Sequence, residues 1–116
     1  MIRIEQILLV TLQDEASAAE IGDLLGMVGD QVVATEARGV LIDLSTLSLV
    51  DSFLARMLAS LVTMTRILGA QAIIAGMRPE VAIAMVELGA ELPQIAAALN
   101  VDVGLETLRQ RIGSAR

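Results

Sequence analysis

Ser52 is the residue of this chain best placed for regulated chemistry. It follows a strand-like run, Val40-Leu41-Ile42-Asp43-Leu44, and a polar loop through Ser45, Thr46 and Ser48, and it stands where a long apolar helix should begin. The expectation is that Ser52 is the N-cap of that helix. A side-chain oxygen at an N-cap accepts a hydrogen bond from one of the unpaired backbone N–H groups, and the same cluster of N–H groups tolerates an anion. A hydroxyl at such a site can serve as a phosphate acceptor. Arg56 lies one turn on, at i+4, where it can meet an anion on Ser52; Asp51 is adjacent and repels one; and the apolar pair Leu49-Val50 precedes them in the loop. A phosphate would add roughly −1.5 to −2 charges, stabilised by the helix start but hostile to a partner docked over the loop. On physics alone, a plain N-cap contributing about 1 kcal/mol is at least as good a reading of Ser52 as a regulatory role.

Other chemistries find little support. Cysteine and histidine are both absent, which removes disulfides, thiol nucleophiles, imidazole bases and the usual zinc sites. Neither the Gly-x-x-x-x-Gly-Lys phosphate loop nor the Gly-x-Gly-x-x-Gly dinucleotide fingerprint occurs. A receiver-type phospho-aspartate at Asp43 or Asp51 would need a lysine beside it, and the chain has none. Asp14, Asp43 and Asp51 could in principle form a hard-cation site, but carboxylates at strand ends more often cap loops and helices. The expectation is therefore a non-enzymatic protein without cofactor or metal.

Composition sets the frame for these residues. At 116 residues the chain suits one domain, 1–116, with a proper core. It is 55% apolar, yet Phe53 is its one aromatic residue, so Leu, Ile, Val, Met and Ala must fill that core. The net charge of −6 leaves no basic patch for a phosphate backbone, which argues against nucleic acid. No apolar run approaches the roughly 18 residues of a membrane-spanning helix, and no signal-type segment opens the chain, so a soluble, cytoplasmic protein without a membrane partner is expected.

The elements that must position Ser52 follow from periodicity. Ile2 to Glu5 and Ile7 to Leu12 read as an antiparallel strand pair around Glu5-Gln6, although that turn has poor chemistry. Ile21, Leu24, Leu25, Val28 and Val32 mark an amphipathic helix from about Ser17 to about Glu36, broken by Arg38-Gly39. Its Gly22, Gly26 and Gly29 share a narrow side, better read as small residues in a weak helix than as a contact surface. Gly39 to Leu44 is a strand covered on both faces. Phe53, Met57, Leu61, Met64 and Leu68 are the expected core stripe of the Ser52 helix, with Arg56, Ser60, Thr63 and Arg66 opposite and Gly69 as its stop. Gln71 to Ala75 is the next strand, Pro79 opens a third helix that ends at Leu88-Gly89, and Pro93 bars helix beyond. Gln94 to Leu99 is a candidate edge strand, and Asn100 or Asp102 caps a last helix through Leu105, Leu108 and Ile112. Alternation of this kind implies an α/β fold: a mostly parallel sheet, an antiparallel N-terminal strand and about four helices. Ligand and partner sites in such sheets gather at the carboxyl ends of the strands, where the Asp43 to Ser52 loop lies. The third helix is apolar nearly all round, so either another subunit or the terminal helix of the same chain must cover it.

Four stretches carry a family resemblance: Val50-Asp51-Ser52-Phe53-Leu54-Ala55-Arg56, Arg66-Ile67-Leu68-Gly69-Ala70, Gly76-Met77-Arg78-Pro79-Glu80-Val81-Ala82 and Val86-Glu87-Leu88-Gly89. In this order and spacing they resemble the STAS domains of anti-sigma-factor antagonists, and most of all the RsbS-type scaffold of bacterial stressosomes. The likeness runs from about Ile2 to Ile112. It implies phosphorylation of Ser52 by a partner serine kinase of the RsbT type, with a histidine-kinase-like ATPase fold to which ATP and Mg²⁺ belong. The unmodified scaffold would sequester that kinase and phosphorylation would release it, with Leu49, Val50, Asp51, Phe53 and Arg56 forming the contact. The resemblance further implies a phosphatase, homo-oligomers and co-assembly with RsbR-type STAS proteins that carry sensor domains. No sensor segment is present in this sequence, so the minimal scaffold is expected. Two other readings stay open: a monomeric antagonist that binds an anti-sigma factor directly, and a module that binds a nucleotide or lipid in the strand-end crevice.

Overall fold

The computed structural model describes residues 1–14, 17–89 and 96–114. Its strands are β1 (Ile2–Ile4), β2 (Ile7–Thr11), β3 (Gly39–Asp43), β4 (Gln71–Ala75) and β5 (Ala96–Ala98), and its helices are α1 (Ala18–Thr35), α2 (Ser52–Ile67), α3 (Pro79–Glu87) and α4 (Val101–Ser114). The strands lie in chain order in one sheet, with β1 antiparallel to β2 and every later pair parallel. This is the α/β architecture that the hydrophobic pattern implies. Pro93, Gln94 and Ile95 lie outside the described residues, and the expected edge strand is present as β5.

Alternation along the central strands divides the core in two. Leu8, Val10, Val40, Ile42, Ala72 and Ile74 point to one face, where α1, α2 and α3 supply Val28, Leu58, Val62, Val81 and Met85. Ile7, Leu41 and Ile73 point to the other, where α4 lays down Leu108 and Ile112. Because β3 is covered on both faces, it reads as an unbroken apolar run. The terminal helix therefore does not cover α3, which lies across the sheet from it. Ile83 and Val86 on α3 are left 58% and 80% exposed.

Helix starts follow local chemistry. Ser17 and Glu20 form a reciprocal capping box on α1, with Ser17 Oγ accepting from the Glu20 N–H at 3.1 Å. Asn100 Oδ1 accepts from the Val103 N–H at 2.9 Å at the start of α4. Helix α1 runs to Thr35 with Glu36 as its C-cap, at the expected bound, and Glu36 rather than a glycine adopts the left-handed conformation (φ 53°). Gly39 instead serves packing, since a Cβ there would stand 3.2 Å from both Leu108 and Ile112. The unfavourable Glu5-Gln6 turn forms with Glu5 at φ 56°, held by tertiary bonds: the Gln6 carbonyl accepts from the Arg38 and Gly39 N–H groups, and Arg109 pairs with the Glu5 carboxylate at 3.6 Å.

Among the three glycines of α1, Gly22 and Gly26 face open space and Gly29 alone makes a close approach, 3.1 Å from its Cβ position to Met64 Sδ of α2. That contact explains a shift in the buried face of α2. Leu54, Ala55, Leu58, Leu61, Val62 and Thr65 are buried, whereas Phe53, Met57 and Met64 are half-buried and Leu68 is 40% exposed. The expected stripe is thus one edge of a wider face that must meet both the sheet and α1. Thr65 is tolerated inside because its hydroxyl donates to the Leu61 carbonyl at 2.7 Å.

Candidate functional site

The site is the β3–α2 loop at the carboxyl end of the sheet. Its frame is fixed residue by residue. The Asp43 carboxylate accepts from the Ser45 N–H at 2.9 Å, Thr46 Oγ1 donates to the Leu12 carbonyl at 3.1 Å, and Arg78 Nε donates to the Ser45 carbonyl at 3.2 Å. Leu47 is buried and anchors the middle of the loop in the core. Beyond it, Asp14 accepts from the Ser48 N–H at 2.8 Å, from the Leu49 N–H at 3.1 Å and from the Ser48 hydroxyl at 2.6 Å. These bonds, the Ser48 hydroxyl foremost, lower the Asp14 pKa from its ordinary value.

Helix α2 starts one residue earlier than expected. Asp51, with extended backbone (φ −108°, ψ 176°), is the N-cap, and its carboxylate accepts from the Leu54 N–H at 2.8 Å. Ser52 is the first helical residue and is exposed. Two good capping residues stand side by side here, and only the one with extended φ/ψ can aim its oxygen at the third N–H of the helix. The two roles fall to neighbouring residues: Asp51 holds the helix start and the Ser52 hydroxyl is free of capping. The stability effects should separate in the same way. Asp51→Ala is expected to cost about 1 kcal/mol in urea unfolding, and Ser52→Ala no more than about 0.5 kcal/mol. The reverse order would return the cap to Ser52.

The residues expected to form the contact lie around Ser52 as follows. Leu49 is 76% exposed, Val50 and Phe53 are half-buried, and Arg56 is exposed one turn along the same face. The Ser52 and Phe53 N–H groups have no acceptor among the described residues, so the positive end of the helix opens on the Ser52 side chain. Beside it lies an open hollow of about 520 Å³ between the β2–α1 and β3–α2 segments, with Ile21, Phe53 and Leu54 among its apolar lining and Asp14 and Asp51 on its polar side. The three candidate cation ligands do not converge. Asp14, Asp43 and Asp51 each accept from different backbone N–H groups, and no cluster able to hold a metal occurs among the described residues.

Pattern reading missed the Asp14 clamp. Its partners lie 34 and 35 residues away, beyond any local motif. The available signal was positional: Asp14 follows β2 and so must lie at the same carboxyl edge as the Ser52 loop.

With this fold and site in place, comparison with known proteins is decisive on family. The STAS domain model matches residues 1–100, and the chain belongs to the STAS-domain family. It is homologous to the RsbS- and RsbR-type scaffold proteins of stressosomes. It is 33% identical over 76 residues to the RsbT co-antagonist protein RsbRA of Bacillus subtilis (strain 168), a match that takes in 66% of this chain and 28% of that protein. The match thus spans less than a third of the length of this curated relative. A solved chain from the molecular architecture of the stressosome, a signal integration and transduction hub, superposes with TM-score 0.81 at 27% identity, with 96% of each chain covered. A serine-to-glutamate variant of RsbS from Moorella thermoacetica superposes with TM-score 0.85 at 25% identity, over 96% of this chain and 94% of that one. Among the described residues, no helix is long and apolar enough to cross a membrane.

Proposed function

We propose that this chain is a non-enzymatic scaffold of a stressosome-like complex, which holds a serine kinase of the RsbT type on its Ser52 surface and releases it when Ser52 is phosphorylated. The observation that carries the reading is the exposed Ser52 hydroxyl, unoccupied by capping and set on the first turn of α2 beside two N–H groups that have no acceptor among the described residues. Homology to RsbS- and RsbR-type proteins supports the scaffold role and the class of kinase. In the transfer step the terminal phosphoryl group of the kinase's ATP leaves the ADP oxygen and bonds to Ser52 Oγ. The hydroxyl proton passes to a base of the kinase. Asp51, adjacent in sequence, is held through one carboxylate oxygen by the Leu54 N–H.

Release follows from charge and hydration. Leu49, Val50 and Phe53 offer the partner an apolar contact with Ser52 and Arg56 at its rim, and a dianion placed there must keep its water or bring a cation with it. The helix start meanwhile stabilises the added charge, so the body beneath is unaffected. In a binding titration, Ser52→Asp is expected to weaken kinase affinity by about tenfold or more while Ser52→Ala keeps it. Equal affinity of Ser52→Asp and the unaltered chain would refute the switch. The exposed Ile83 and Val86 of α3 support assembly with further copies or RsbR-type relatives. A monomer by light scattering, both alone and with such relatives, would favour direct binding of an anti-sigma factor instead.

The hollow beside Ser52 favours one further reading, a small-ligand module, because its volume of about 520 Å³ falls in the range of ligand pockets. A thermal shift with a nucleotide or lipid in the absence of protein partners would support it.

A further inference from the structure

Between two firm anchors, the Leu47 side chain in the core and the Asp51 cap of α2, the chain passes through Ser48, Leu49 and Val50, the last two of which belong to the contact surface. Leu49 is mostly exposed and Val50 half-buried, so apolar burial alone does not fix this segment. Its polar ties end on one side chain from another loop: Asp14 Oδ1 takes the Ser48 and Leu49 N–H groups, and Oδ2 takes the Ser48 hydroxyl. We propose that Asp14 is a positioning residue for the kinase, a clamp that holds the Ser48-Leu49 turn against the end of β2 and so sets the pose in which Leu49, Val50 and Ser52 are presented. The inference rests on the reading of Ser52 as the phosphate acceptor.

The clamp is separable from the fold. Removing it leaves Leu47 buried, the Asp43, Thr46 and Arg78 bonds of the first half of the loop in place, and Asp51 capping α2. What is lost is the preorganisation of three residues, and a docked partner would then have to order them at its own expense in affinity. A carboxylate suits the task because its two oxygens accept three donors at once. An asparagine keeps the oxygen that holds both N–H groups and turns an N–H toward the Ser48 hydroxyl oxygen, so it preserves the geometry without the charge.

The test is steady-state phosphorylation of the chain by its cognate kinase with MgATP, together with amide hydrogen exchange of the chain alone. Asp14→Ala is expected to raise KM for the scaffold about tenfold with kcat nearly unchanged, and to speed exchange at Ser48 and Leu49. Asp14→Asn should stay within about twofold of the unaltered chain, and Ser48→Ala, which loses one of three bonds, should fall between. Ser48→Ala also keeps the test informative should Asp14→Ala fold poorly. Unchanged KM in both Asp14→Ala and Ser48→Ala would overturn the positioning role while leaving the acceptor reading intact. So would an Asp14→Asn as impaired as Asp14→Ala, which would assign the effect to charge. If the unaltered chain takes up no phosphate on Ser52, the acceptor reading itself falls and this inference with it.

Discussion

Gly76→Ala is expected to lower stability by about 2–4 kcal/mol, with the urea midpoint reduced and the slope unchanged. Two effects combine at this position. Gly76 has φ 72°, a conformation that costs an ordinary L-residue about 1–2 kcal/mol. A Cβ there would also stand 3.0 Å from Ser45 Cβ, 3.3 Å from Ser45 Cα and 3.4 Å from Ser45 N. Ser45 has little room to retreat. Its N–H is bonded to Asp43 and its carbonyl to Arg78, and the Leu44 N–H before it is bonded to the Ala75 carbonyl at 2.9 Å. Gly69→Ala is the internal control: its φ is 89° but a Cβ there meets nothing within 4 Å, so only the backbone term applies. Equal losses at the two positions would show that crowding against the β3–α2 loop contributes nothing. Since Ser45 belongs to the frame of the Ser52 site, the proposed function also predicts weaker kinase binding by Gly76→Ala.

Gly104→Val is expected to cost about 2–3 kcal/mol by the same measurement. Helix α4 lies so close to the sheet at this point that a Cβ would stand 2.6 Å from Leu41 Cδ1 and 3.6 Å from the Ala75 Cβ. Leu41 is fully buried in the central strand, in a cluster with Ile7, Ile73, Leu108 and Ile112, and displacing its methyl group moves the whole layer. A glycine inside a helix is otherwise unfavourable by up to about 1 kcal/mol relative to alanine, so its presence in α4 points to the close approach as the compensating gain. Gly22→Ala should behave in the opposite sense, raising stability by about 0.5–1 kcal/mol, because Gly22 is in α1 with open space around it. A neutral Gly104→Val would mean that α4 is not seated on Leu41 as described.

The same positions show what could be read from the chain and what could not. The bounds of β3 and β4 and the end of α2 follow from an unbroken apolar run, a long 3.6-residue period and the Gly69 stop, all of which are local signals. Pro79 and Gly89 bracket α3 for the same reason. The wider core face of α2 was hidden because one edge of it meets α1, as at the Gly29–Met64 approach, and no local period encodes a second neighbour. Gly39 looked like a helix stop because glycine serves both turns and close packing, and only the position of α4 decides between them. At the site, the cluster Leu49 to Arg56 was legible as a group. The assignment of the cap within it turned on one residue's φ/ψ, and the Asp14 clamp on a loop that the sheet brings alongside.

The most direct measurement is the location of phosphate after the chain has been incubated with its cognate serine kinase and MgATP, by intact mass and peptide fragmentation. The reading of Ser52 as an exposed hydroxyl on the first turn of α2 predicts one added phosphoryl group, on Ser52, and none on the Ser52→Ala chain. Undiminished uptake by Ser52→Ala, with the phosphate on Ser45, Thr46 or Ser48 instead, would contradict it.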